Sequence, residues 1–205
     1  GVQKSPVGLA GYSGGGMATS WAAALAPTYA PELNIVGSAE GGVPMNMVKM
    51  AEVLGNNPHP AFGLALAAAI GLEREYPDRV NVSNQLNSFG HFLVDRVANE
   101  CTNLIMFWGV YKSAGQLTDN KNFMDDPKAW QVLRENSLEF YPGVPKSPIF
   151  EWHSPTDALI PVDSVVNVIH KYCAAHLPVV SIETPSPDHL SAAVLGMPQA
   201  LQWMA

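Results

Sequence analysis

The stretch Val7-Gly8-Leu9-Ala10-Gly11-Tyr12-Ser13-Gly14-Gly15-Gly16-Met17-Ala18-Thr19-Ser20-Trp21-Ala22-Ala23 passes from an apolar run, through one serine ringed by glycines, into a run of small helix-compatible residues. Gly11-Tyr12-Ser13-Gly14-Gly15 reads as a nucleophile elbow, a strand-to-helix turn so sharp that the serine backbone is strained and flanking glycines keep Cβ atoms from colliding. Ser13 is then the expected nucleophile. The helix starting at Gly14 offers free N–H groups and a positive dipole end, where a developing oxyanion needs donors. A tight turn with a solvated serine is the plainer alternative, since small residues gather around serine in any glycine-rich loop.

Elbow chemistry needs a base for the serine and an acid to orient the base, arriving in the order Ser, Asp or Glu, His at the ends of later strands. Pro148-Ile149-Phe150-Glu151-Trp152-His153 reads as a buried strand running into the turn Ser154-Pro155-Thr156-Asp157. A helix follows, with one apolar stripe through Val165, Val168, Ile169, Tyr172 and Cys173. A second strand, Pro178 to Glu183, ends in Thr184-Pro185-Ser186-Pro187-Asp188-His189. Right-handed crossovers place successive strand ends side by side, so Asp157 and His189 are expected to meet. Each also has a duller role: Asp157 as a turn former or cap, and His189 as the start of a terminal helix capped by Asp188. Asp163 and His153 are the second choices for acid and base; Asp163 falls inside the helix start, and His153 precedes the acid in the chain.

These residues resemble the fungal secretory lipases of the lipase A type. The similarity runs through Gly11 to Gly16 with Trp21-Ala22-Ala23, Tyr29-Ala30-Pro31-Glu32-Leu33-Asn34-Ile35-Val36-Gly37, the turn Gly41-Gly42-Val43-Pro44, His153 to Asp157, and His189 with Pro198-Gln199-Ala200-Leu201-Gln202-Trp203. The resemblance implies an α/β-hydrolase: a mostly parallel sheet with helices on both faces, a helical cap insertion, and hydrolysis of carboxylic esters. Triacylglycerols are the first expected substrate, with a lipid–water interface among the expected partners. A short-chain carboxylesterase, a deacetylase of a small metabolite, and an inactive truncated remnant stay open as alternatives. It also implies Gly14 as one oxyanion donor and a secreted protein. Only about ten residues precede Ser13, so the chain is expected to be the C-terminal part of a longer protein, with its first sheet strands and second oxyanion donor in the missing N-terminal portion.

The segments divide as residues 1–44 (elbow strand, helix and next strand), 45–145 (helical insertion) and 146–205 (acid- and histidine-bearing part). In the insertion, Ala61 to Leu72 reads as one helix and about Ser83 to Phe107 as a longer one. The latter carries more apolar surface than one helix face needs on a solvated protein. Core packing accounts for most of it, and part is expected to face an acyl chain. Tyr12, Phe89 and Leu93 are the expected substrate contacts.

Composition narrows the function classes. With 47% hydrophobic residues, 205 residues can bury roughly 70% of the unfolded surface. A net charge of −7 with only 11 lysines and arginines argues against nucleic-acid binding, which needs clustered basic charge. No stretch is both apolar and long enough to be a transmembrane segment. His59, His91, His170 and His176 lack metal-ligand spacing, so no metal and no cofactor is expected. Cys101 and Cys173 could pair with each other, stay reduced, or pair with a cysteine outside the chain, and Asn81-Val82-Ser83 is a glycosylation sequon that counts only in a secreted protein.

Overall fold

The computed structural model describes residues 5–205; the first four residues, at the head of the segment expected to supply the elbow strand, lie outside the described residues. The chain divides into two compact units, one running to Asn46 and resuming over Ser137–Ala205, the other spanning Met47–Asn136.

The first unit is a parallel sheet. Strand β1 (Val7–Tyr12) turns into helix α1 (Gly14–Tyr29), which returns the chain to β2 (Ile35–Gly41). The chain then leaves for the second unit, whose helices are α2 (Met47–Gly55), α3 (Phe62–Glu75), α4 (Ser88–Val97), α5 (Thr102–Gly109), α6 (Ala114–Leu117) and α7 (Pro127–Glu135). It rejoins the sheet as β3 (Ile149–His153), crosses through α8 (Val162–Ala174) to β4 (Val179–Glu183), and closes with α9 (His189–Met204). The sheet order is β1-β2-β3-β4 and every pairing is parallel.

Strand alternation sorts the two faces. Toward α9 point Tyr12, Ala39, Phe150, Trp152 and Ile182, packing with Ala200, Trp203 and Met204. Gly8 shares that face, since a Cβ there would strike Met204, whereas a Cβ on Gly11 would strike Thr19 of α1 on the other. That second face carries an unusual row for a sheet interior. Glu40 and Glu151 are directly paired across β2 and β3, both wholly buried, with Ser38 and Ser181 beside them and Tyr172 of α8 above.

The second unit is built on helix packing, with Phe62, Leu66, Ile70, Leu93, Val97, Ala114 and Leu117 at its centre. The long helix expected over Ser83 to Phe107 is instead a short 3-10 turn, Ser83–Gln85, followed by α4 and α5. Asn87 starts α4 by accepting the Gly90 N–H at 2.9 Å, and Cys101 heads α5 in an extended conformation, so the apolar excess is shared by two helices. The expected α8 stripe also needs correcting at its end: Cys173 is exposed and Ser164 is buried in its place. Cys101 and Cys173 are both free, exposed thiols, so the pairing of the two with each other is not formed. Among the described residues, no helix is long and apolar enough to cross a membrane.

Candidate functional site

Ser13 lies at φ 54°, ψ −120°, a left-handed conformation that a side-chain-bearing residue adopts only under constraint. The constraint is visible. Its N–H donates to the Gly41 carbonyl at 2.8 Å, and its own carbonyl accepts from Met17 in the first turn of α1 at 2.8 Å. A Cβ on Gly11 would lie 2.2 Å from the Gly15 carbonyl oxygen, and one on Gly16 would lie 2.8 Å from that of Gly41. The glycines that the turn demands are therefore Gly11 and Gly16, whereas Gly14 and Gly15 face open space. This corrects the expectation for Gly15: its backbone is what Gly11 must clear, and its own Cβ position is vacant. Although Ser13 stands at the N-cap of α1, its hydroxyl makes no capping hydrogen bond. Gly14 is the first residue of α1, where an N–H has no carbonyl of a preceding turn to bond.

Asp157 follows β3 in the turn expected for it, and its two oxygens have different partners. One oxygen, Oδ1, accepts the N–H groups of Leu159 and Ile160 at 2.9 Å each, fixing the turn. The other, Oδ2, is 2.7 Å from Nδ1 of His189. Burial acts to raise the Asp157 carboxyl, but the His189 hydrogen bond, the two backbone donors and the imidazole charge outweigh it and hold the group below the ordinary aspartate value. His189 likewise combines its two readings, as the first residue of α9 and as the partner of Asp157. Asp188 caps the helix by accepting from Leu190 and Ser191 at 2.9 Å. The far nitrogen of the imidazole, Nε2, is buried with no partner among the described residues.

Ser13 and His189 each lie against the Gly41-Gly42 turn, with no hydrogen bond between the Ser13 hydroxyl and His189 Nε2. Gly42 has φ +51°, and a Cβ there would lie 2.7 Å from the Tyr12 hydroxyl and 2.9 Å from His189 Cε1. Only glycine fits. Since Gly41 holds the Ser13 N–H, the Gly41-Gly42 pair carries Ser13 on one side and the His189 imidazole on the other. Two further ties align the acid and histidine loops: the Ser154 hydroxyl donates to the Ser186 carbonyl at 2.8 Å, and Thr156 donates to that of Pro187 at 3.1 Å.

The second-choice residues are occupied elsewhere. Both Glu151 oxygens lie 3.0 Å from His153 Nδ1, and that hydrogen bond raises the imidazole above its ordinary value against the opposing effect of burial. Asp163 stands in the first turn of α8. Of the expected substrate contacts, Tyr12 has its hydroxyl turned to the His189 carbonyl at 2.5 Å. Phe89 is 40% exposed and stacks on Phe92, whereas Leu93 is 1% exposed in the core of the second unit. The buried acids Glu40 and Glu151 were missed by sequence reasoning. Burial, joined by the neighbouring Glu151, pushes the Glu40 carboxyl up to about 8 although the Ser20 and Ser38 hydroxyls oppose the shift.

A family model described as secretory lipase matches residues 1–205. Lipase A of Moesziomyces aphidis is 30% identical over 96% of the chain, which covers 44% of that protein. A trichothecene C-3 esterase of Fusarium sporotrichioides is 27% identical over 99% of the chain, which covers 47% of it. The crystal structure of Candida antarctica lipase A in its closed state superposes with a TM-score of 0.90 at 30% identity, over 98% of this chain and 48% of that one. The chain thus has an α/β-hydrolase fold and spans somewhat under half the length of these relatives.

Proposed function

The chain belongs to the secretory lipase family, and from that membership we propose that it carries the catalytic triad of a secreted carboxylic ester hydrolase, in first place a triacylglycerol lipase. The observation that carries this reading is the buried 2.7 Å contact between Asp157 and His189, beside the Gly41-Gly42 turn that also holds the Ser13 N–H. His189 Nε2 takes the Ser13 proton as the hydroxyl attacks the ester carbonyl. Asp157 keeps the proton on Nδ1 and stabilises the imidazolium. The Gly14 N–H supplies one oxyanion donor, and the second comes from the part of the protein outside this chain. His189 then protonates the departing alcohol, and water, activated by the same imidazole, hydrolyses the acyl-enzyme.

The trichothecene C-3 esterase among the relatives favours one second reading, an esterase acting on a small acylated metabolite. Within the second unit, Phe89 has ring surface to offer an apolar ligand and Leu93 has almost none. In the full-length protein, a fluorophosphonate probe is expected to label Ser13, and Ser13→Ala is expected to abolish labelling and turnover together. Labelling at another serine, or an alanine variant that keeps its rate, overturns the proposal.

A further inference from the structure

The acyl-transfer reading accounts for how Asp157 holds the His189 ring, but the ring is useful only if the backbone beneath it is also held. His189 opens α9, and helix ends fray unless tied. Beside the Asp188 cap, two ties come from aromatic side chains of the sheet. The Tyr12 hydroxyl donates to the carbonyl of His189 itself at 2.5 Å, and the Trp152 indole N–H donates to the carbonyl of Ala192, one turn on, at 3.2 Å. A carbonyl has two lone pairs, so each can accept such a bond beside its helical one.

The two donors form one rigid support. The Tyr12 and Trp152 rings are 5.7 Å apart, and Tyr12 also lies 5.0 Å from the His189 ring, centroid to centroid. Helix α9 rests directly on the indole, because a Cβ on Gly196 would fall 2.1 Å from Trp152 Cδ1. Tyr12 immediately precedes Ser13 in the chain, so the residue that bonds the backbone of the base is the covalent neighbour of the nucleophile, about 3.8 Å away between Cα atoms. Burial, reinforced by Asp157, Asp188 and Glu151, raises the Tyr12 hydroxyl above its ordinary value, so it stays a donor throughout the working range.

We propose that Tyr12 and Trp152 are positioning residues, a two-donor latch that sets the first turn of α9, and with it the His189 imidazole, in register with Ser13. The proposal rests on the acyl-transfer reading above. It assigns Tyr12 to the base rather than to the substrate, where the motif alone had placed it.

The test uses Tyr12→Phe, which removes one oxygen, and Trp152→Phe, which keeps an aromatic ring and removes the donor, both in the full-length protein with p-nitrophenyl butyrate. Displacing a catalytic group by a fraction of an ångström to 1 Å costs up to about a hundredfold, so kcat is expected to fall roughly 10- to 100-fold in Tyr12→Phe. KM stays within about twofold and Tm close to that of the wild type, because no substrate contact is lost. Fluorophosphonate labelling of Ser13 should slow by the same factor as kcat. Trp152→Phe should lower kcat in the same sense. A Tyr12→Phe variant with wild-type kcat, or one whose KM rises at unchanged kcat, overturns the latch while leaving the triad reading intact. A wild-type protein that neither turns over nor is labelled at Ser13 overturns the triad reading and the latch with it.

Discussion

Replacing Glu40 by glutamine should remove a loss of stability that the wild-type protein suffers as pH rises. The folded protein keeps the Glu40 proton up to about 8, whereas an unfolded chain releases it near 4.5. Between those values the unfolded state binds fewer protons than the folded one, so stability is full below pH 4.5 and declines until about pH 8. At about 1.4 kcal/mol for each pH unit, the decline across that window is on the order of 5 kcal/mol. For a domain of this size, a loss on that scale lowers Tm by roughly 10 °C. Glutamine matches the shape of the protonated acid and cannot ionise, so Glu40→Gln should resemble the wild type at pH 5 and exceed it at pH 8. His153 acts in the same sense, since its raised value makes its contribution present below the ordinary histidine range and lost as pH climbs through the folded value. The informative quantity is therefore the difference between the two proteins, followed by circular dichroism at one scan rate from pH 5 to pH 8. Parallel pH profiles for wild type and Glu40→Gln would refute the reasoning.

Three further outcomes are expected. Asp157→Asn should lower kcat by about 10⁴ through loss of the productive imidazole tautomer, while Asp163→Asn changes it little, and steady-state kinetics that reverse this ranking would move the acid role to Asp163. If an acyl chain is recognised, each added methylene contributes up to about 0.8 kcal/mol, so kcat/KM on p-nitrophenyl esters should rise from acetate to octanoate, and a maximum at acetate would favour the small-metabolite esterase. In the same series Leu93→Ala should cost about 2–5 kcal/mol of stability and depress all esters alike, because Leu93 is sealed in a core.

The elbow, β3, α8 and β4 were legible because each is announced by local chemistry: glycines around a serine, apolar runs of strand length, and a stripe at helical spacing. Asp157 and His189 were legible for the same reason, as polar residues placed just past apolar runs. What failed depends on the third dimension. Glu40 drew no reading and Glu151 was only one residue of a buried strand, and only parallel pairing of β2 with β3 turns the two acids into buried neighbours. Ser83 to Phe107 reads as one helix because its apolar content is continuous, while the break depends on Asn87 and Cys101 adopting extended backbone, which composition does not reveal. Tyr12 was expected to be a substrate contact, next to Ser13 in the elbow. Its partner, the His189 carbonyl, is 177 residues away in the chain.

The left-handed backbone of Ser13 also bears on how such a protein decays. A side-chain-bearing residue at φ 54° costs on the order of 1–3 kcal/mol that glycine would not. On the proposed nucleophilic role, selection for turnover is what keeps serine there. In a lineage released from that selection, Ser13→Gly would be favoured by drift toward greater stability, whereas alanine at the same place would keep the strain and lose the chemistry. Descendants that have abandoned catalysis should therefore carry an unbroken run of glycine from position 13 to position 16, and should melt later than their working relatives.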